Sequence, residues 1–265
     1  MTEPTVGVTF RPQCPPEDLP EVARSADAAG IAQLWLWEDC FFEGGISTAT
    51  AALACTERLH VGVGLLPVPL RNPALAAIEI ATVARLFPGR FRPGLGHGVL
   101  EWMEQVGARV PSPMTLLREY TTAVRDLLHS RTVDVEGRYV RLRDVTLDWP
   151  PSVPPPLLVG GRGPKTVSLA GEVADGVILD SVLSVDQIRD GVAHSAAGRA
   201  GGGLAGEPFD TVVFVELDTS APRLAARVDE AVSTLAEAGA TTVVFQPTGE
   251  APDPRPLIDA CAERA

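Results

Sequence analysis

Residues 59–96 read LHVGVGLLPVPLRNPALAAIEIATVARLFPGRFRPGLG. Two short apolar runs, at 59–66 and 90–96, flank a longer apolar segment from about Pro73 to Leu86. Short runs bounded by glycine and proline are typical of strands, and a proline suits the first turn of a helix. The stretch therefore predicts a strand, a crossover helix and a second, parallel strand.

The same alternation of strand and helix continues along the whole chain. It is broken once, by a predicted hairpin at 132–142 that precedes the fifth strand. A glycine-rich stretch at 196–208 is predicted to be a flexible surface loop. The strand-like segments are 5–10, 33–37, 59–66, 90–96, 157–161, 176–180, 211–218 and 241–246. Eight strands, each followed by a helix, predict an α/β fold in which residues 1–265 form one (β/α)8 TIM barrel.

The composition limits the functions that this chain can have. A formal net charge of −12 and a pI of 4.8 disfavour binding to nucleic acid or to an acidic membrane surface. The N-terminus has no basic and apolar leader, and no apolar window reaches the length of a membrane span, so we expect a cytoplasmic protein. The four cysteines, Cys14, Cys40, Cys55 and Cys261, form no C-x-x-C pair and predict no metal site.

Ligands of such barrels bind at the C-terminal ends of the strands. Four of the segments that follow strands have unusual sequences. They are WEDCFFEGG (37–45), LLPVPLRNP (65–73), GHGVLEW (96–102) and GGRGPKT (160–166). We therefore look for functional side chains in these four segments.

GGRGPKT is the segment with the clearest local mechanism. Its glycines allow a ligand to approach the backbone, and Pro164 begins a helix whose free amides favour an anion. Arg162 and Lys165 add positive charge. The segment predicts a phosphate site, although an ordinary strand-to-helix turn would also require glycine.

Three further side chains lie where a ligand could contact them. Asp39 follows an apolar strand and could hold a polar ring edge or a substrate, or cap a loop or pair with an arginine. Cys40 is either a nucleophile or a small buried side chain. His97, between two glycines, is either a proton-transfer group or a structural histidine.

These segments, in this order, resemble the bacterial luciferase-like monooxygenase family, which includes deazaflavin-dependent reductases. The resemblance covers nearly the whole chain: the tryptophan-rich strand that ends at Asp39, the block GVGLLPVPLRNPALAAIEIATVARLFPGRFRPGLGHG (62–98), and VGGRGPKTVSLAGEVADGVI (159–178). The middle block is the most specific of the three. It combines a strand, an R-N-P helix start, a P-G-R turn and a second glycine-rich strand end.

The resemblance implies a barrel that holds FMN or coenzyme F420. By position, it places one group of residues against the ring system, a second group in a bulged shelf that often has a non-proline cis peptide, a third along the polar tail of the cofactor, and a fourth at its phosphate. These groups are, in turn, Asp39 and Cys40; Val63, Gly64 and Leu65; His97 and Gly98; and Gly160, Gly161 and Arg162. The glycines beside His97 would then make room for the cofactor chain.

Two positions depart from the pattern of the deazaflavin-dependent relatives. Cys40 stands where these commonly have histidine, and Val99 where some have an acidic residue. Both usual proton-handling groups are thus absent. Cys40, Glu38 or His97 would have to replace them.

The sequence therefore predicts an oxidoreductase, either a monooxygenase or a reductase, that uses FMN or coenzyme F420 on a small organic molecule. Asp39 would orient the ring or substrate, and His97 would relay a proton. The resemblance also allows a homodimer. Two alternatives remain: a cofactor-free barrel acting on a sugar phosphate, with Lys165 as a Schiff-base amine, and a family member that binds flavin without catalysis.

Overall fold

The computed structural model describes residues 3–249 and 252–264. Within these residues the strands are β1 (Thr5–Thr9), β2 (Gln33–Leu36), β3 (His60–Pro67), β4 (Phe91–Gly96), β5 (Val133–Glu136), β6 (Arg141–Val145), β7 (Leu158–Gly160), β8 (Gly176–Leu179), β9 (Asp210–Leu217) and β10 (Thr242–Pro247). All but β5 and β6 form one closed parallel barrel, in the order β1-β10-β9-β8-β7-β4-β3-β2. The antiparallel pair β5 and β6 is the predicted hairpin insertion, so the predicted fold is confirmed.

Helices cover the outside of the barrel and follow its strands along the chain. They are α1 (Leu19–Ala28), α2 (Gly45–Ala54), α3 (Pro73–Leu86), α4 (Leu100–Gln105), α5 (Pro113–Leu128), α6 (Pro164–Val173), α7 (Val185–Gly201), α8 (Leu224–Ala238) and α9 (Arg255–Ala262). None of the helices in the described part of the chain is long and apolar enough to cross a membrane.

The sequence predicted a loop over the whole glycine-rich stretch 196–208. The structure differs, because α7 continues to Gly201. The buried side chain of Arg199 explains this difference. Its guanidinium donates to the carbonyl oxygens of Ala174 (2.6 Å) and Pro208 (2.8 Å), which fixes the last turn of α7 against the neighbouring segments. Such long-range hydrogen bonds are not visible in local composition.

The barrel interior is filled by an aromatic cluster. Trp35 is fully buried, donates from Nε1 to the Oε1 atom of Gln33 at 2.9 Å, and meets the ring of Phe214 edge-on at 5.6 Å between centroids. Gly62 leaves the space that this indole occupies, since a Cβ atom there would lie 2.5 Å from the ring. Trp37 packs above this cluster, toward the strand ends.

Strand β3 carries the bulge that the family resemblance implies. Its register against β4 shifts between Val63 and Leu66, and the peptide bond between Gly64 and Leu65 is cis. The side chain of Leu65 lies across Gly96 and Gly160, on the neighbouring strands β4 and β7. The bulge therefore places a leucine side chain inside the wide end of the barrel.

Candidate active site

The four segments predicted to carry function lie on one arc of the barrel rim. Their strands are β2, β3, β4 and β7, which are consecutive neighbours in the barrel. One direct contact between them is from His97 Nε2 to Thr166 Oγ1, 3.3 Å, which joins the end of β4 to the first turn of α6. The structure thus brings the GHG and GGRGPKT segments together.

Asp39 lies half-buried at the end of β2. Burial raises the pKa of its carboxyl group, the nearby charge of Arg11 opposes this, and Asp180 adds to it. The guanidinium of Arg11 also lies over the ring of Trp37, 5.4 Å from its centroid, and donates to the carbonyl oxygen of Pro247 at 2.9 Å. Ionisation of Asp39 therefore costs free energy in the folded protein, and the positive charge of Arg11 offsets part of that cost.

Replacing Asp39 with asparagine is expected to raise the free energy of unfolding near neutral pH. A carboxyl group whose folded pKa exceeds its ordinary value of 3.8 stabilises the fold below that value, and this contribution is lost as the pH rises through the folded pKa. The gain from Asp39→Asn should shrink as the pH falls toward 3.8. Urea unfolding of both proteins across this pH range tests it, and a gain independent of pH would contradict the assignment.

Glu38, one of the groups that could replace the missing proton-handling residues, is held in an ion pair. It is buried, and both of its carboxylate oxygens accept hydrogen bonds from the guanidinium of Arg71. The Oε2 atom also accepts from the backbone N–H of Gly45 at 2.8 Å. Glu38 therefore joins the loops after β2 and β3, and both of its oxygens already accept hydrogen bonds within the protein.

Cys40 is held as a neutral thiol. Burial raises the pKa of this thiol, and the carboxylates of Glu38 and Asp39 raise it further. Since the thiolate is the reactive form of cysteine, these surroundings do not favour a nucleophile.

His97 is neutral near pH 7. Burial lowers the pKa of its imidazole, and an interaction with the backbone of Pro113 offsets this in part. A neutral ring offers one donor and one acceptor nitrogen, which suits hydrogen bonding to a polar ligand.

The glycines beside His97 are packed closely against other parts of the protein. A Cβ atom on Gly96 would overlap the side chain of Leu65. Gly98 has a positive φ of 69°, and a Cβ atom there would lie 2.9 Å from Pro67. Both glycines are therefore required by protein packing, and their contact with a cofactor chain stays a prediction.

The turn before α6, which is predicted to bind the phosphate, makes several contacts within the protein. The N–H group of Gly161 donates to the carbonyl oxygen of Ile178 at 3.1 Å, and a Cβ atom on Gly161 would lie 2.5 Å from the side chain of Thr166. Arg162 pairs with Asp180, Nε to Oδ2 at 2.8 Å. Gly160 lies against Leu65. These three positions are therefore occupied by contacts within the protein.

An open anion position remains one residue further along the chain. Among the described residues, the N–H groups of Arg162 and Gly163 have no acceptor, and the side chain of Lys165 has no carboxylate within 4.0 Å. Gly163 is the N-cap of α6, has no capping side chain, and a Cβ atom there would meet nothing within 4 Å. An uncapped helix N-terminus beside open space and a lysine can accept a phosphate.

Sequence reasoning missed a polar group on the opposite arc of the rim. Gln246 Nε2 donates to Glu216 Oε1 at 2.8 Å and to Ser181 Oγ at 3.0 Å, and Ser181 reaches Asp180. Each of these residues is at or just beyond the end of a barrel strand, as is Arg11. The strand-end rule could have found them if it had been applied to all eight strands.

A closed (β/α)8 barrel with polar groups collected at its C-terminal rim is the architecture of an enzyme. Residues 3–248 match the family described as luciferase-like monooxygenase, and the chain belongs to this family.

Three known proteins illustrate the similarity. A 5,10-methylenetetrahydromethanopterin reductase from Methanolobus tindarius is 25% identical over 228 residues, which are 84% of this chain and 69% of the relative. An F420-dependent glucose-6-phosphate dehydrogenase from Beutenbergia cavernae is 36% identical over 137 residues, 49% of this chain and 40% of the relative. The solved structure of an F420-dependent secondary alcohol dehydrogenase with an F420-acetone adduct has a TM-score of 0.87, 19% identity, and coverage of 99% and 98%, which shows the shared fold.

Proposed function

We propose that this protein is an oxidoreductase that binds coenzyme F420 and transfers a hydride between it and a small organic molecule. The observation that carries the proposal is the uncapped N-terminus of α6, which opens at the barrel rim next to His97. The name of one relative, and that of one protein with the same fold, include F420 and support it over FMN.

The residues of the rim fit a coenzyme with an apolar ring and an anionic tail. Leu65 and Trp37 provide apolar surface at the mouth, above the buried pair of Trp35 and Phe214. The N–H groups at the start of α6 and the side chain of Lys165 suit a phosphate. Apolar and anionic binding surfaces therefore lie on the same side of the barrel.

When bound, the coenzyme supplies the hydride chemistry, and the protein binds, orients and excludes water. Asp39 would orient the ring or substrate from the end of β2, with Arg11 balancing its charge. His97, neutral and tied to Thr166, would hold a polar group of the tail by hydrogen bonding, which its position supports better than a proton relay.

The two alternative functions receive less support. The relative that acts on a sugar phosphate is itself F420-dependent by name, so a cofactor-free sugar-phosphate enzyme is not favoured. A non-catalytic family member would bind coenzyme without turnover. Stopped-flow reduction of bound F420 by a panel of alcohols, aldehydes and reduced donors separates that alternative from an enzyme.

Fluorescence titration with F420 and absorbance titration with FMN test the cofactor assignment directly. The proposal expects saturable binding of F420 and weaker binding of FMN. Binding of FMN alone would overturn the choice of F420, and binding of neither would overturn the proposed function.

Gly163→Asp is expected to weaken F420 binding by about tenfold or more, which corresponds to about 1.4 kcal/mol. The new carboxylate would cap α6 and occupy the anion position, while the fold should become no less stable, because aspartate is a good N-cap. Gly163→Asn is the matched control, which caps the helix without adding charge. Equal affinities of the two variants for F420 would show that the phosphate of the coenzyme does not bind at this helix end.

A further inference from the structure

We propose that a cleft between α7 and α8 binds the apolar body of an uncharged small molecule. The cleft encloses about 460 Å³ and is formed by the start of α7, the end of β9 and the middle of α8. It lies outside the anion site at α6 and was not found from the sequence. The inference that the bound molecule is the substrate rests on the proposed function. The inference that the cleft binds an apolar molecule is independent of it.

The cleft has a structural cause in the packing of α7. Gly171 on α6 lies against the backbone of Ser195 on α7, and Gly198 on α7 lies against the backbone of Ser168 on α6. A Cβ atom at either glycine would overlap a carbonyl oxygen of the other helix. Because α7 is packed so closely on α6, a gap remains on its other side, toward α8.

The walls of the cleft are apolar and remain partly exposed to solvent. Leu183, Val185, Val215 and Leu217 contribute half-exposed side chains, and the buried Leu235 forms part of the wall. A concave space of this size with mainly apolar walls is typical of a small-molecule site. The concave shape suits a compact molecule better than the face of a helix.

The charges around the cleft favour an uncharged occupant. Arg227 and Glu230 lie in its wall, both exposed, and Asp218 is close enough to Arg227 for its pKa to be lowered by that charge after the larger effect of Ser220. The one acid and one base of the wall leave it without net charge, so an ionic occupant would lose water without gaining a compensating partner. The hydroxyl group of Thr234 lies in the wall and can bind a neutral polar group.

The cleft borders the barrel mouth. Ser181 lines the cleft and accepts a hydrogen bond from Gln246 at the rim. Phe214 also lines the cleft and contacts Trp35 and Trp37 in the barrel. A molecule with its apolar body in the cleft would therefore lie beside the proposed active site.

Phenylnaphthylamine, an uncharged fluorescent probe, tests the cleft in protein without coenzyme. The proposal expects a saturable rise in fluorescence and weaker binding of the anionic analogue anilinonaphthalene sulfonate. Ala231→Trp fills the cleft from α8 and should weaken probe binding at least about tenfold, because it removes an apolar contact surface. Ala226→Trp, on the same helix but outside the cleft, is the matched control and should bind as the wild type does.

Each result is informative. Probe binding that is absent, equal in the two tryptophan variants, or equally tight for the sulfonate would overturn the proposal. Circular dichroism checks the folding of the variants, and Thr234→Phe fills the same cleft if Ala231→Trp does not fold. A parallel F420 titration keeps the questions apart: wild-type protein that binds the probe but not F420 retains the cleft site and loses the proposed function.

Discussion

Arg71→Met is expected to lower the free energy of unfolding by about 3–5 kcal/mol. Glu38, whose side chain is 8% exposed, accepts both of its charged hydrogen bonds from Arg71. Without the guanidinium, a buried carboxylate would keep only the N–H of Gly45 as a partner. Urea unfolding at neutral pH measures the loss.

Two further variants show whether the loss comes from the unpaired charge. The double variant Arg71→Met with Glu38→Leu should recover most of the stability, because replacing both ions with apolar groups removes the buried charge. Arg189→Met breaks an exposed pair with Asp186 and should cost less than about 1 kcal/mol. If Arg71→Met lowers the free energy of unfolding no more than Arg189→Met does, the structural role of the pair between Arg71 and Glu38 is contradicted.

The same ion pair should matter for coenzyme binding. Glu38 fixes the loop that continues into Asp39 and Cys40 and ends at Gly45, the first residue of α2. Loss of the pair frees this loop, so F420 affinity should fall in Arg71→Met at temperatures where the protein is still folded. In the double variant Arg71→Met with Glu38→Leu, the free energy of unfolding should recover more fully than the affinity for F420.

The barrel could be predicted from sequence because the alternation of elements is a local signal repeated eight times. The helix predicted from about Pro73 to Leu86 has those same limits, since Asn72 caps it by accepting from the N–H of Ala74 and Pro73 fits its first turn. The hairpin before β7 was similarly marked by its alternating pattern around Gly137.

The candidate site could be located by the same reasoning, but its contacts could not. Glu38 and Arg71 are 33 positions apart, and Arg162 and Asp180 are 18 positions apart. Both arginines and both acids were visible in the sequence, yet their pairing depends on which strands are neighbours. The glycine at 96 was equally visible, but only the bulge in β3 explains it, because the bulge directs Leu65 into that space.

Gly198→Ala is expected to destabilise the fold by about 1–3 kcal/mol, although alanine is the better helix former. The added methyl group would overlap the carbonyl oxygen of Ser168, so α6 and α7 must separate. Gly201→Ala, in the last turn of the same helix, meets nothing within 4 Å and is the matched control. It should be neutral or stabilise by up to about 1 kcal/mol, so the two substitutions should differ in sign.

The same substitution tests the origin of the cleft. If close packing on α6 holds α7 away from α8, a methyl group at residue 198 should move α7 toward α8 and weaken phenylnaphthylamine binding, while Gly201→Ala leaves it unchanged. Urea unfolding and probe titration of the two variants together provide the measurement. Normal probe affinity in a destabilised Gly198→Ala protein would show that the cleft does not depend on the spacing of these helices.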